Sequence, residues 1–204
     1  MPWLKQFDAI SVRETSGVEY VKSLGLECEL ALDPTVLLDA EDYDCICAER
    51  LVSERYVLLF SWLCTDDVVE AAKKVAKDLN LPLYNIVPPP RAMGKGIPRK
   101  LDVGPREFLS MIKYAEFVVT NSFHGTAFAT TYEKPFVSIV SGKPDLRMKS
   151  LLDQLDLSNH LVHLDEIDVD EIMDTDFGKV KEKKKQLRRS SLRYLKDALE
   201  VAEC

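Results

Sequence analysis

Five short runs of β-favouring, largely apolar residues recur along the chain, separated by stretches whose apolar positions fall at helical spacing. The runs are FDAISV (7–12), YVLLFS (56–61), PLYNIV (82–87), EFVVT (116–120) and PFVSIV (135–140). Strands that alternate with helices need crossover connections, so the pattern specifies an α/β layer architecture with a mostly parallel sheet flanked by helices. Helices are expected over 15–24, 66–79, 105–114, 124–132, 146–155 and 177–202. In TDDVVEAAKKVAKDL, Thr65 stands where an N-cap belongs, acids fill the first turn, and positions 68, 69, 72, 75, 76 and 79 form one apolar face.

A chain of 204 residues with 46% hydrophobic and 30% charged residues has ordinary globular composition, enough for one large domain or two small ones. A boundary near residue 50 is expected, because DCICAERLVSERYVLLF passes from a polar linker into the first strand of a new α/β run. No run of about 18 apolar residues appears, and MPWLKQFDAISVRE has neither a basic nor an apolar leader region, so a soluble, cytoplasmic protein is expected. The five cysteines, Cys28, Cys45, Cys47, Cys64 and Cys204, lack paired CxxC spacing, which reads as free thiols with no metal site.

Charge is unevenly spread. Residues 179–196 hold nine of the 27 basic residues, and the remainder carries 18 basic against 33 acidic. An acidic body argues against nucleic-acid binding. The basic segment reads as a helix with an apolar face of Val180, Leu187, Leu192, Leu195 and Leu199 that packs back on acidic surface; its other reading is peripheral contact with anionic lipid. The loop at 88–105 holds five prolines, three glycines and the basic residues Arg91, Lys95, Arg99 and Lys100, a length that in a compact α/β domain goes with function or mobility.

Open α/β sheets bind ligands outside the carboxyl ends of their strands, where helix N-termini favour anions. In VVTNSFHGTAF (118–128) the strand gives way to a helix through a polar turn, which places Asn121, Ser122 and His124 at that edge. Gly125 would let backbone approach a ligand and Thr126 would add a hydroxyl. Arg13 directly follows the first strand, and VSGKPDLRMKSLL supplies Ser141, Gly142, Lys143 and Arg147 after the last. Each of these has a structural reading, as cap, surface ion pair or solvated helix face. Three strand-following cations nevertheless favour an anionic small molecule: at about 1.5–3 kcal/mol per charge-assisted hydrogen bond, they suffice for the roughly 4–8 kcal/mol of millimolar to micromolar affinity.

These residues stand within phrases that resemble the polysaccharide pyruvyl transferase family: FDAISVRETSGVEYVKSLG, ALDPTVLLD, VGPREFLSMIKYAEFVVTNSFHGTAFATTYEKPFVSI and the helix from Arg147, in that order over 7 to about 157. The resemblance implies a Rossmann-like sheet like the C-terminal half of a glycosyltransferase-B-type fold. It divides the chain into the end of an N-terminal half with its linker (1–50), a C-terminal Rossmann-like domain (51–176) and a basic C-terminal helix (177–204). It also implies transfer of pyruvate from phosphoenolpyruvate onto hydroxyls of a cell-surface or exopolysaccharide sugar, the acceptor being a saccharide or lipid-linked glycan, with no cofactor besides that donor. By the same resemblance Arg13, His124 and Arg147 line the donor site, with Arg13 and His124 in catalytic roles. Members with Arg-Leu-His at the turn differ from Ser122-Phe123-His124 here, and members carry a further N-terminal Rossmann-like half before the Val-Arg-Glu motif. Two other classes fit the same features: a nucleotide-sugar glycosyltransferase, whose pyrophosphate a helix N-terminus would serve equally, and a non-catalytic fragment or binding module.

Overall fold

The structure, a computed structural model, describes residues 3–62, 64–86, 103–143 and 145–200. Strand β1 (Ser11–Val12), helix α1 (Thr15–Ser23) and strand β2 (Glu29–Leu30) come first, followed by α2 (Ala40–Asp44). Then β3 (Val57–Phe60), α3 (Asp66–Asp78), β4 (Leu83–Asn85), α4 (Pro105–Lys113), β5 (Phe117–Thr120), α5 (Phe123–Thr131), β6 (Phe136–Ile139), α6 (Leu146–Gln154), β7 (Leu161–Val162), α7 (Val169–Met173) and α8 (Phe177–Glu200) alternate. The expected helices start and end within one residue of their expected bounds, except that the expected end of the last, at 202, lies outside the described residues. Of the run 7–12 only Ser11 and Val12 are strand, and β2, β7, α2 and α7 are additions: the two strands are two-residue segments, too short for periodicity to register. The basic loop residues Arg91, Lys95, Arg99 and Lys100 lie outside the described residues.

All strand pairs are parallel. β1 and β2 form a small sheet, and the main sheet has the order β4-β3-β5-β6-β7. The central strands β3, β5 and β6 are buried at every residue, as a parallel sheet covered on both faces requires. Side chains alternate between two cores. Val57, Leu59, Phe117, Val119, Val137 and Ile139 pack with the apolar faces of α3 and α7, whereas Leu58, Phe60, Val118 and Phe136 pack with α4, α5 and α6. Thr65 does precede α3, but its hydroxyl pairs with Ser141 Oγ at 2.9 Å and makes no cap bond.

Helix α5 lies tightly against the sheet. Gly125 makes that approach possible: a β-carbon there would overlap Thr120 Oγ1 and lie 3.0 Å from Phe60 Cδ1. Every residue of α5 except His124 is buried. Its hydroxyls are satisfied inside, Thr126 Oγ1 lying 2.7 Å from Ser138 Oγ and Thr130 Oγ1 donating to the Thr126 carbonyl at 2.9 Å.

Helix α8 crosses back over the 31–43 segment. Ser191 Oγ accepts from Leu32 N–H at 2.9 Å, Arg188 pairs with Asp39, and buried Lys184 donates to the Leu38 carbonyl at 2.8 Å. Burial pushes the Lys184 ammonium below the ordinary lysine range, partly offset by Asp39. Lys179, Lys181, Lys183 and Lys185 pair with Asp176, Glu133, Asp156 and Glu182. The inward line runs through buried Val180, Lys184 and Ser191 and partly buried Leu187, while Leu192 and Leu199 of the expected apolar face are exposed. Leu192 is one residue, about 100°, away from Ser191 on the helix. No described helix is long and apolar enough to cross a membrane.

His160 is fully buried, its Nδ1 donating to the Phe136 carbonyl at 2.8 Å and its Nε2 lying 3.0 Å from Thr175 Oγ1. Burial lowers its pKa to about 4.

Two outcomes follow from this packing. In an ordinary helix interior Gly→Ala stabilises by about 1 kcal/mol; Gly125→Ala is expected instead to destabilise by about 2 kcal/mol through overpacking, lowering the melting temperature by roughly 4–8 °C. His160 binds its proton more weakly folded than unfolded, so stability is complete above the unfolded value of about 6.5 and falls as pH drops from there toward 4. A loss of about 3 kcal/mol across that window, read from urea midpoints, should be missing in His160→Gln.

Candidate active site

The chain reverses its direction of travel across the sheet between β3 and β5: β4 lies on one side of β3, and β5, β6 and β7 on the other. Ligand crevices of open α/β sheets form at such a switch point, beyond the strand carboxyl ends. Phe60 and Thr120 end the two strands in register. Thr120 Oγ1 donates across to the Phe60 carbonyl at 2.7 Å, and Ser61 Oγ, which accepts from Cys64 N–H at 2.8 Å, donates to Asn121 Oδ1 at 2.7 Å. The two loops are therefore tied together at their bases. Cys64 holds φ 48°, an uncommon value for a residue with a β-carbon, and Trp62 in the same loop is 55% exposed.

From Asn121 the chain enters α5 through Ser122, which stands at the N-cap with no side-chain cap bond and no acid in the first turn that follows. The N–H groups of an uncapped first turn favour an anion. His124, the exposed residue of α5, lies there with its ring 5.6 Å from the Phe123 ring at 81°.

Two cations from distant parts of the chain come to the same place. Arg13 follows β1 and its Cζ lies 5.8 Å from the Phe123 ring centroid; Arg147, in the first turn of α6, has its Cζ 5.5 Å from the same centroid. Both are within the roughly 6 Å reach of a cation–π contact. The segment bearing Arg13 is docked on α6, Thr15 N–H donating to Ser150 Oγ at 3.2 Å.

Each arginine also has its own carboxylate. Arg13 pairs with Asp33, and Arg147 grips Asp145 through Nε at 3.1 Å and Nη2 at 2.6 Å. Burial alone would raise the Asp33 carboxyl, but hydrogen bonds from the Thr35 hydroxyl and N–H, together with Arg13, outweigh it and hold the group below the usual carboxylate range. Asp145 is held down in the same way, burial being outweighed by hydrogen bonds from Arg147. Both arginine side chains are half-exposed, which leaves them accessible to a ligand.

The structure thus gathers Arg13, His124 and Arg147 around the first turn of α5. Asn121 stands at the β3 side of that turn, held by Ser61. Ser122 is buried beneath it, and Lys143 is exposed just after Gly142, which has φ 83°. Ser141 Oγ is paired with Thr65. Gly125 and Thr126 do not face the crevice: both are buried against the sheet, where Gly125 permits helix–strand contact and the Thr126 hydroxyl bonds Ser138. Sequence reading passed over Phe123, Asp33 and Asp145. The signals were there, since Asp33 opens DPT and Asp145 precedes Leu146-Arg147 as a helix cap, but each reads locally as a cap and nothing more.

Comparison with known proteins agrees with this architecture. The fold is similar to Methanocaldococcus jannaschii UDP-GlcNAc 2-epimerase, solved with UDP-GlcNAc and UDP, at 14% identity and TM-score 0.60 over 90% of this chain and 61% of that one. It is also similar to a putative UDP-N-acetylglucosamine 2-epimerase from Listeria monocytogenes, at 13% identity and TM-score 0.53 over 89% and 53%. The chain spans less than two thirds of either, and these likenesses identify a Rossmann-like, glycosyltransferase-B-type fold alone. No individually curated protein matches the sequence. The profile of one family, described as polysaccharide pyruvyl transferase, matches residues 2–143, which include Arg13 and the whole β5–α5 turn. By that match, over more than half of its length, the chain belongs to the polysaccharide pyruvyl transferase family.

Proposed function

We propose that the protein carries the donor half of a pyruvyl transferase site that moves pyruvate from phosphoenolpyruvate onto two hydroxyls of a saccharide, forming a ketal. Convergence of Arg13 and Arg147 on the uncapped first turn of α5 carries this reading. Phosphoenolpyruvate has a carboxylate and a phosphate on one carbon, and planar, permanently charged guanidinium groups match both.

In the reaction two acceptor hydroxyl oxygens bond to the central carbon and the carbon–oxygen bond to phosphate breaks. One hydroxyl proton ends on the methylene, which becomes methyl, and the other leaves with phosphate. His124 stands exposed at the turn whose Phe123 ring both arginines approach, and its imidazole supplies the proton shuttle. The arginines bind and orient the donor, Asn121 and the α5 N–H groups hold its anionic end, and Lys143 adds a cation at the rim. Ser122 and Ser141 complete the wall of the crevice.

Residues 1–50 are read as the end of an N-terminal Rossmann-like half with its linker, 51–176 as the C-terminal Rossmann-like domain and 177–204 as a basic C-terminal segment, helical over its described residues. Acceptor contacts then belong to the N-terminal half, and the acceptor is a cell-surface or exopolysaccharide unit, free or lipid-linked. The site of action is cytoplasmic. The pairing of α8 lysines with body carboxylates supports an anchoring role for that helix over a lipid-facing one.

The nucleotide-sugar alternative draws on the epimerase-like fold, so calorimetric titration with phosphoenolpyruvate and with UDP-GlcNAc separates the two. Phosphoenolpyruvate should bind, and Arg13→Ala and Arg147→Ala should each weaken it by about tenfold or more, the value of a lost charge-assisted hydrogen bond. His124→Ala should leave binding within a few-fold and slow transfer by roughly 10²–10⁴ in protein that is active. Heat from UDP-GlcNAc alone would replace pyruvyl transfer with the glycosyltransferase reading.

A further inference from the structure

Phe123 lies where two guanidinium groups from segments far apart in the chain meet. Asp33 is in contact with Arg13 and Asp145 with Arg147; Asp33 and Glu14 also act on Arg147 through space, but neither aspartate is in contact with both guanidinium groups. What the arginines have in common is the ring, which is 5% exposed and has one Cζ at 5.8 Å and the other at 5.5 Å from its centroid. Like charges brought near one another repel, and the negative π-face of an aromatic ring offsets this by attracting both. The ring is also firmly rooted: it opens α5, which the close contact at Gly125 seats on the sheet, and it belongs to the same core as Phe128 and Met148.

We propose that Phe123 is a positioning residue of the donor site: its π-face holds Arg13 and Arg147 side by side so that their outward N–H groups converge on one ligand with two anionic groups. The proposal rests on the phosphoenolpyruvate reading above. Asp33 holds Arg13 by Nη1 and Asp145 holds Arg147 by Nε and Nη2, and the ring sets the spacing between the two groups. An aliphatic side chain of equal volume would fill the core and leave the arginines unregistered.

The test separates ring electronics from packing. Pentafluorophenylalanine at position 123 keeps the shape of the ring and reverses its quadrupole. With the full chain, phosphoenolpyruvate affinity by calorimetry should fall about fivefold or more, in line with loss of contacts to two cations, while the melting temperature stays near that of the unmodified protein. In a preparation competent for transfer, the donor KM should rise with little change in kcat. Without any ligand, the Nε–H resonances of Arg13 and Arg147 should be moved by the ring current in the unmodified protein, and the displacement should vanish in Phe123→Leu. Unchanged affinity in the fluorinated protein, or arginine resonances at ordinary positions in the unmodified one, would overturn the proposal. Silence of the unmodified protein toward phosphoenolpyruvate would overturn the donor reading and the ring's part in it, and displaced arginine resonances would then show that the ligand, not the geometry, had been misjudged.

Discussion

The contact of α5 with the ends of β3 and β5, allowed by the missing side chain at Gly125, governs the rest of the site. Because the helix lies so near the sheet, its residues are buried all round and its polar groups bond inward to Ser138 and to its own carbonyls. The exception is His124, turned to solvent at the first turn. The same seating puts the helix N-terminus at the switch point, beside the Ser61–Asn121 bond that joins the two strand-end loops. A larger residue at 125 would have to lift the helix, and with it the turn that carries both the imidazole and the ring under the arginines.

The electrostatics are more guarded than a list of cations suggests. Arg13 and Arg147 are each matched by a carboxylate whose pKa is depressed, so without ligand their formal charges cancel within the cluster. Such pairing keeps the guanidinium groups oriented without leaving isolated charges at a half-buried surface, where desolvation would be costly. An anion then meets N–H groups already pointed, and little side-chain entropy remains to be lost on binding.

The N-terminal segment and α8 belong to this arrangement and are not appendages to it. Leu32, Val36 and Tyr43 enter the main core, Tyr43 meeting Phe128 of α5 edge-on at 4.9 Å. Helix α8 clasps the same segment through Lys184, Arg188 and Ser191. The segment so held is the one that supplies Asp33, the partner of Arg13. Lys184 is itself part of that clasp and not of the surface: its ammonium is buried and its bond to the Leu38 carbonyl lies inside the fold.

Legibility in the sequence followed the range of the interaction concerned. The central strands and six helices could be read because burial on both faces of a sheet, or one face of a helix, imposes a period on neighbouring residues. The strand-to-helix turn at Asn121–His124 was legible for the same reason, and Arg13 and Arg147 could be placed at strand ends by counting. The meeting of the two arginines on Phe123, the assignment of Asp33 and Asp145 as their partners, and the inward turn of Gly125 and Thr126 depended on how the crossovers pack. In the linear chain the four strands β2 to β5 and the four helices α1 to α4 lie between Arg13 and Phe123, and no local pattern encodes their distance. The sequence determined the layers and the kinds of residue at the strand ends, because these follow from local periodicity. Tertiary packing alone decided which of those residues share one ligand's space, because that depends on contacts between segments whose separation along the chain carries no energy.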